Sequence, residues 1–114
     1  MDKKSEILIY QDSEGKIKVD VRFEDETVWL TQRSMAELFQ VKPQNITMHL
    51  KNIFAERELQ EDSTCKEFLQ VQKESSREVK RKQKFYNLDA IISVGYRIKS
   101  QIATQFRIWA TQSK

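Results

Sequence analysis

One hundred and fourteen residues suffice for one domain around one core, and a net charge of +3 gives only a mild preference for acidic partners. Hydrophobic residues at 39% and charged residues at 32% fit a globular chain, while two glycines and one proline argue against turn-dense sandwiches and long flexible linkers. No stretch reaches the roughly 18 apolar residues of a membrane span, Lys3 and Lys4 introduce no secretory leader, and the single cysteine, Cys65, needs no oxidising compartment, so a cytoplasmic protein without a membrane partner is expected.

The chain opens on strands. From Lys16 to Glu24 apolar residues fill the odd positions and charged ones the even positions, the pattern of a strand with one buried and one wet face. Glu6 to Gln11 is a shorter strand candidate, joined to it through Asp12-Ser13-Glu14-Gly15, where Gly15 is free to take a positive φ. Thr27 to Leu30 follows the polar turn Glu24-Asp25-Glu26, which completes an antiparallel β-meander over 5–30.

At Thr31 the period changes. Thr31 is a good N-cap for a helix carrying Met35, Leu38 and Phe39 on one face, and this helix should stop near Gln40. Pro43 suits the first position of a second helix, which Ile46, Leu50 and Ile53 anchor from one side through to about Ala55. A helix pair crossing at a tight turn needs a small residue at the crossing, an apolar plug in the turn and one-sided anchoring. Ala36, Val41 and Ile46/Leu50/Ile53 meet those needs, with Gln40 where glycine is common. Residues 31–55 therefore read as a helix-turn-helix. On the second helix Gln44, Met48, Lys51 and Ala55 point outward, flanked by Asn45, Thr47 and Asn52. Gln and Asn can bond adenine edges, Thr and Met can touch a thymine methyl, and Lys can reach guanine or phosphate. The expected base contacts are Gln44, Asn45, Thr47, Met48 and Lys51. An ordinary helical hairpin with a polar solvent face satisfies the same pattern.

Glu56 to Thr64 is polar, a loop or short helical turn. Two strands then fill 65–86 around Glu74-Ser75-Ser76, and in the second, Lys80, Lys82, Lys84 and Tyr86 alternate with Val79, Arg81, Gln83 and Phe85. Three lysines on alternate residues form a column about 7 Å apart, close to phosphate spacing along a DNA strand. A hairpin directly after a recognition helix is where a winged-helix protein carries its wing, although lysines also protect exposed edge strands. Expected backbone contacts are Arg33, Lys42, Asn52, Arg77, Lys80, Arg81, Lys82 and Lys84. This requires the outward helix face and the lysine face to share one side of the molecule. Asn87 can cap a helix with Asp89 in its first turn, Gly95 should weaken or end that helix, and Ser100 can cap a last one striped by Ile102, Phe106 and Trp109, placing C-terminal helices over 87–112. That stripe is the candidate surface for a homodimer if the core leaves it free. Arg97, Lys99 and Arg107 complement helix ends or touch phosphates.

Catalytic signals are poor, and the chain is not expected to be an enzyme. His49, the only histidine, lies near the buried edge of the second helix, and Cys65 has no sequence-local partner. One Cys and one His cannot build a zinc site, the acids of 24–26 and 56–62 lack calcium-loop spacing, and no Gly-rich phosphate loop occurs, so neither a metal nor a cofactor is expected. Trp29 and Trp109 read as core aromatics.

The runs Val28-Trp29-Leu30-Thr31-Gln32, Met35-Ala36-Glu37-Leu38-Phe39, Asn45-Ile46-Thr47 and His49-Leu50 resemble the start of bacterial virulence RhuM-family proteins. Phe85 to Arg97 and Phe106-Arg107-Ile108-Trp109-Ala110 resemble that family more specifically. The order of elements is also similar to Bro-N and phage antirepressor domains. The resemblance implies a DNA-binding protein associated with mobile elements that continues past Lys114. The expectation is thus an α+β, winged helix-turn-helix-like single domain over 1–114 that binds double-stranded DNA. The alternative is an antirepressor-like module whose partner is a repressor or another phage or host protein, with the same helix face contacting protein and Met48 as an adaptable anchor. A weaker third is an accessory domain of a downstream enzyme.

Overall fold

The structure is a computed structural model that describes residues 5–112, with Gln72 described by its backbone alone. Residues 1–4, with Lys3 and Lys4, and residues 113–114 lie outside the described part. It is a mixed α+β fold. One antiparallel sheet carries five strands in the order β1-β2-β3-β5-β4: β1 Glu6–Gln11, β2 Lys18–Glu24, β3 Thr27–Leu30, β4 Cys65–Glu74 and β5 Arg77–Asn87. Among the described residues five helices accompany it: α1 Gln32–Phe39, α2 Pro43–Ala55, α3 Glu61–Thr64, α4 Leu88–Arg97 and α5 Ile102–Gln112.

Local chemistry explains the boundaries. Asp12 Oδ1 accepts from the Ile17 amide at 2.8 Å, and Gly15 takes φ 73 to close the first hairpin. Between β2 and β3, Asp25 and Glu26 both take positive φ, as the right-handed twist of a two-residue hairpin favours. Thr31 Oγ1 accepts from the Ser34 amide, Asn87 Oδ1 from the Ala90 amide and Ser100 Oγ from the Ile102 amide, so each of the three expected capping side chains bonds an amide of its helix start. α1 ends where Gln40 turns left-handed at φ 57, costing about 1 kcal/mol in a residue with a Cβ. The amides of Gln40 and Val41 both bond Ala36 O there.

All the long helices cover one face of the sheet. Val19, Val21, Leu30 and Tyr86 meet Met35 and Leu38 of α1, Ile46, Leu50 and Ile53 of α2, Ile91 and Val94 of α4 and Phe106 of α5 in one buried cluster. The opposite face carries a smaller cluster, Trp29, Phe68 and Phe85 packed edge to face, under the Arg22 guanidinium 4.0 Å from the Phe68 ring.

The sequence left open what the hairpin pairs with, and two of its other expectations change. β5 pairs with β3 through Trp29↔Asn87 and Leu30↔Tyr86, which joins the hairpin to the meander in one sheet. Arg22, assigned by alternation to a wet face, is half-buried on the aromatic cluster. Gly95 does not end its helix: α4 runs on to Arg97, and a Cβ at Gly95 would overlap the Ala103 side chain and press on Phe39, so the glycine permits close approach of α4 and α5. The Ile102/Phe106/Trp109 stripe, read from its spacing as a buried one, is used by the domain's own core. Phe106 is fully buried, Ile102 and Trp109 pack against the cluster, and Tyr10 meets both Phe106 and Trp109 edge to face at 5.2 Å. The condition set for a homodimer surface there, that the core leave the stripe free, is therefore not met at Phe106.

Candidate functional site

The helical period of α2 divides it cleanly. Ile46, Leu50 and Ile53 are buried, whereas Gln44, Asn45, Thr47, Met48, Lys51 and Asn52 are exposed and His49 is half-buried. Met48 keeps 49% of its surface in solvent. Among the described residues Thr47 is the outward one that a side-chain hydrogen bond ties to the domain: its hydroxyl donates to Gln32 Oε1 at 2.6 Å and also lies 3.2 Å from Pro43 O. Gln32 Nε2 in turn donates to the Tyr86 hydroxyl at 3.0 Å, which links α1, α2 and β5.

The hairpin register runs from Cys65↔Tyr86 to Glu74↔Arg77. Residues directly opposite share a face, so Lys80, Lys82, Lys84 and Tyr86 stand beside Val71, Leu69, Glu67 and Cys65. All three lysines are exposed, as are Leu69 and Val71, each at 56%. Because Tyr86 is on this face and belongs to the helix-covered core, the lysine column runs along the same side of the sheet as α2. Lys84 Nζ lies 3.2 Å from Glu61 Oε2, and this hydrogen bond raises the lysine above its ordinary pKa. Burial pushes the Cys65 thiol up, away from the nucleophilic thiolate.

Between α2 and β5 lies a cavity of about 350 Å³ lined by Gln32, Thr47, Lys51, Phe54, Glu61, Lys84 and Tyr86, with Leu50 at its base. The cavity joins residues from both expected contact sets, Thr47 and Lys51 from the helix and Lys84 from the hairpin.

The other expected contacts divide. Lys42 is exposed at the start of α2 and Asn52 near its end, whereas Arg77, also exposed, is on the strand face opposite the lysines, beside Glu74. Arg33 lies elsewhere, lining a second cavity with Asp20, Arg22, Gln70 and Gln83. Arg81 is on the strand face opposite the lysines, where its guanidinium bonds both Glu74 oxygens at 2.7 and 3.0 Å. Arg97 is tied to Glu56 and Glu58 at 2.7 and 2.9 Å, and its hydrogen bond holds the Glu58 carboxyl below the usual range. Gln32, Glu61 and Tyr86 are site residues that sequence reasoning did not single out. Only the alternation of β5, which puts Tyr86 in line with the lysines, carried any signal for one of them.

Among the described residues no group of three or more His, Cys, Asp or Glu could hold a metal ion, and no helix is long and apolar enough to cross a membrane. Searches of curated proteins and of solved structures give no match to the chain. Residues 63–114, which include both of the more specific blocks Phe85–Arg97 and Phe106–Ala110, match the family model described as Virulence protein RhuM family, so the resemblance read from those blocks holds over that segment.

Proposed function

We propose that the protein binds double-stranded DNA as a winged helix-turn-helix-like module, with α2 as the recognition helix and the lysine face of the β4–β5 hairpin on the phosphate backbone. The observation that carries this is the shared cavity: Thr47 and Lys51 on α2 and Lys84 on β5 line one space, so the polar helix face adjoins the lysine column at its Lys84 end. Gln44, in the first turn of α2, reaches furthest toward base edges, with Asn45, Thr47, Met48 and Lys51 behind it. Lys80 and Lys82 grip phosphates, with Lys42 and Asn52 at the margins. Arg33, Arg77 and Arg81 leave the contact set because they sit away from this surface. The family match over 63–114 and the resemblance support a regulator associated with mobile elements.

Selection on random duplex DNA with the wild type and Gln44→Ala tests this, after circular dichroism establishes that both are folded. A bidentate Gln44–adenine contact contributes about 1–3 kcal/mol of discrimination, so the variant should lose preference at one or two positions while keeping its non-specific affinity. Identical motifs from both proteins would remove base reading by Gln44. No motif from either would favour the antirepressor-like reading, in which this surface binds a repressor or another phage or host protein. That second reading draws on the exposed Met48, Leu69 and Val71, apolar side chains that a protein partner would cover.

A further inference from the structure

On the DNA-binding reading, we propose that the cavity between α2 and β5 is a built seat for a single backbone phosphate, and that Glu61 holds Lys84 as an internal stand-in until DNA displaces it. A phosphate seat needs convergent donors, at least one of them fixed. Tyr86 supplies the fixed one. It is 3% exposed, lines the cavity, and accepts from Gln32 Nε2 at 3.0 Å. That leaves its own proton without an acceptor among the hydrogen bonds of the described residues. The Thr47 hydroxyl, donating to Gln32 Oε1 at 2.6 Å, sets which way the Gln32 carboxamide faces and therefore which way the tyrosine proton can point. Lys51 and Lys84 both line the same space, two cationic side chains against the single carboxylate of Glu61.

The Glu61 carboxylate, 3.2 Å from Lys84 Nζ, presents to that lysine what a phosphate would: an anionic oxygen at charge-assisted hydrogen-bond range. Both side chains of the pair are about half exposed, which makes it a weak surface pair. A phosphate that gains Lys51 and Tyr86 as well as Lys84 outcompetes it. Each binding event therefore exchanges one internal ion pair for one backbone contact, and Glu61 lowers affinity without affecting which sequence is read.

Binding of the purified chain to a short duplex of arbitrary sequence, followed by fluorescence anisotropy, tests the exchange. Glu61→Gln should tighten binding roughly 3- to 10-fold. Asp62→Asn, the same charge change one residue away and outside this cavity, should do much less. Lys84→Ala should cancel the gain, so that Lys84→Ala and the Lys84→Ala/Glu61→Gln double variant bind alike. Tyr86→Phe, verified as folded by its thermal transition, should weaken binding equally for all sequences. Equal gains from Glu61→Gln and Asp62→Asn, or a Glu61→Gln gain that survives Lys84→Ala, would overturn the seat while leaving DNA binding in place. If no variant binds duplex, the DNA reading fails and inorganic phosphate decides the seat alone. The Gln32 side-chain amide resonances should then shift with phosphate, at lower concentration in Glu61→Gln than in wild type, and no shift in either protein overturns it.

Discussion

The two ends of β5 obey one alternation and have opposite fates. At the Asn87 end, Phe85 and Tyr86 are buried, because the strand there has β4 on one side and β3 on the other, helices over one face and Trp29 with Phe68 over the other. From Arg77 to Lys84 the same strand pairs with β4 alone, and its lysines stay in solvent. Alternation states which side chains share a face. Whether anything covers that face is decided by neighbours contributed from elsewhere in the chain.

The largest effect should come from the covered end. Phe85→Ala removes a ring from a three-aromatic cluster and should cost about 3–5 kcal/mol in denaturant unfolding. A loss below about 1 kcal/mol, the ordinary scale of mutations away from packed sites, would show that the cluster contributes little. At the open end, changing Lys80, Lys82 and Lys84 together to Ala should leave the unfolding midpoint nearly unchanged. It should weaken DNA binding for every sequence and make the salt slope shallower by roughly two to three units, about 0.9 for each phosphate no longer neutralised. An unchanged slope in the folded triple variant would take the hairpin out of the interface. The smallest effect belongs to Arg81→Ala, which breaks an exposed pair with Glu74 on the face away from the lysines. Stability should move by less than about 0.5 kcal/mol, and DNA affinity should stay near wild type. A binding loss equal to one lysine's share would place both strand faces on the nucleic acid.

Local signals carried much of the fold. The fault-free alternation through β2, the Thr31 and Asn87 caps, Pro43 at the head of α2 and the Ile46/Leu50/Ile53 stripe each depend on a few adjacent residues, and each appears where the sequence placed it. What the sequence hid depends on distant partners. Two residue pairs join β3 to β5 across more than fifty residues, and nothing near Leu30 or Tyr86 announces the other. Gly95 looks like a helix breaker until Ala103 is seen against it. What covers the Phe106/Trp109 stripe was not legible, because Tyr10, which meets both rings, lies at the other end of the chain. The candidate site divides in the same way: the outward residues of α2 and the lysine column were legible from period alone, whereas the Thr47–Gln32–Tyr86 chain and the Glu61–Lys84 pair exist only once the elements are brought together.

The hairpin closes through two residues, Ser75 and Ser76, at a tip remote from the core. That makes it an extensible arm with a strict parity rule. Inserting or deleting two residues in each strand would change its reach by about 7 Å and return every remaining side chain to its own face. Inserting one in each would exchange the faces beyond that point, turning lysines toward the arginine side while leaving the packed base untouched. Chains built on this plan can therefore vary the span of their backbone grip in even steps, independently of the helix that would read the sequence.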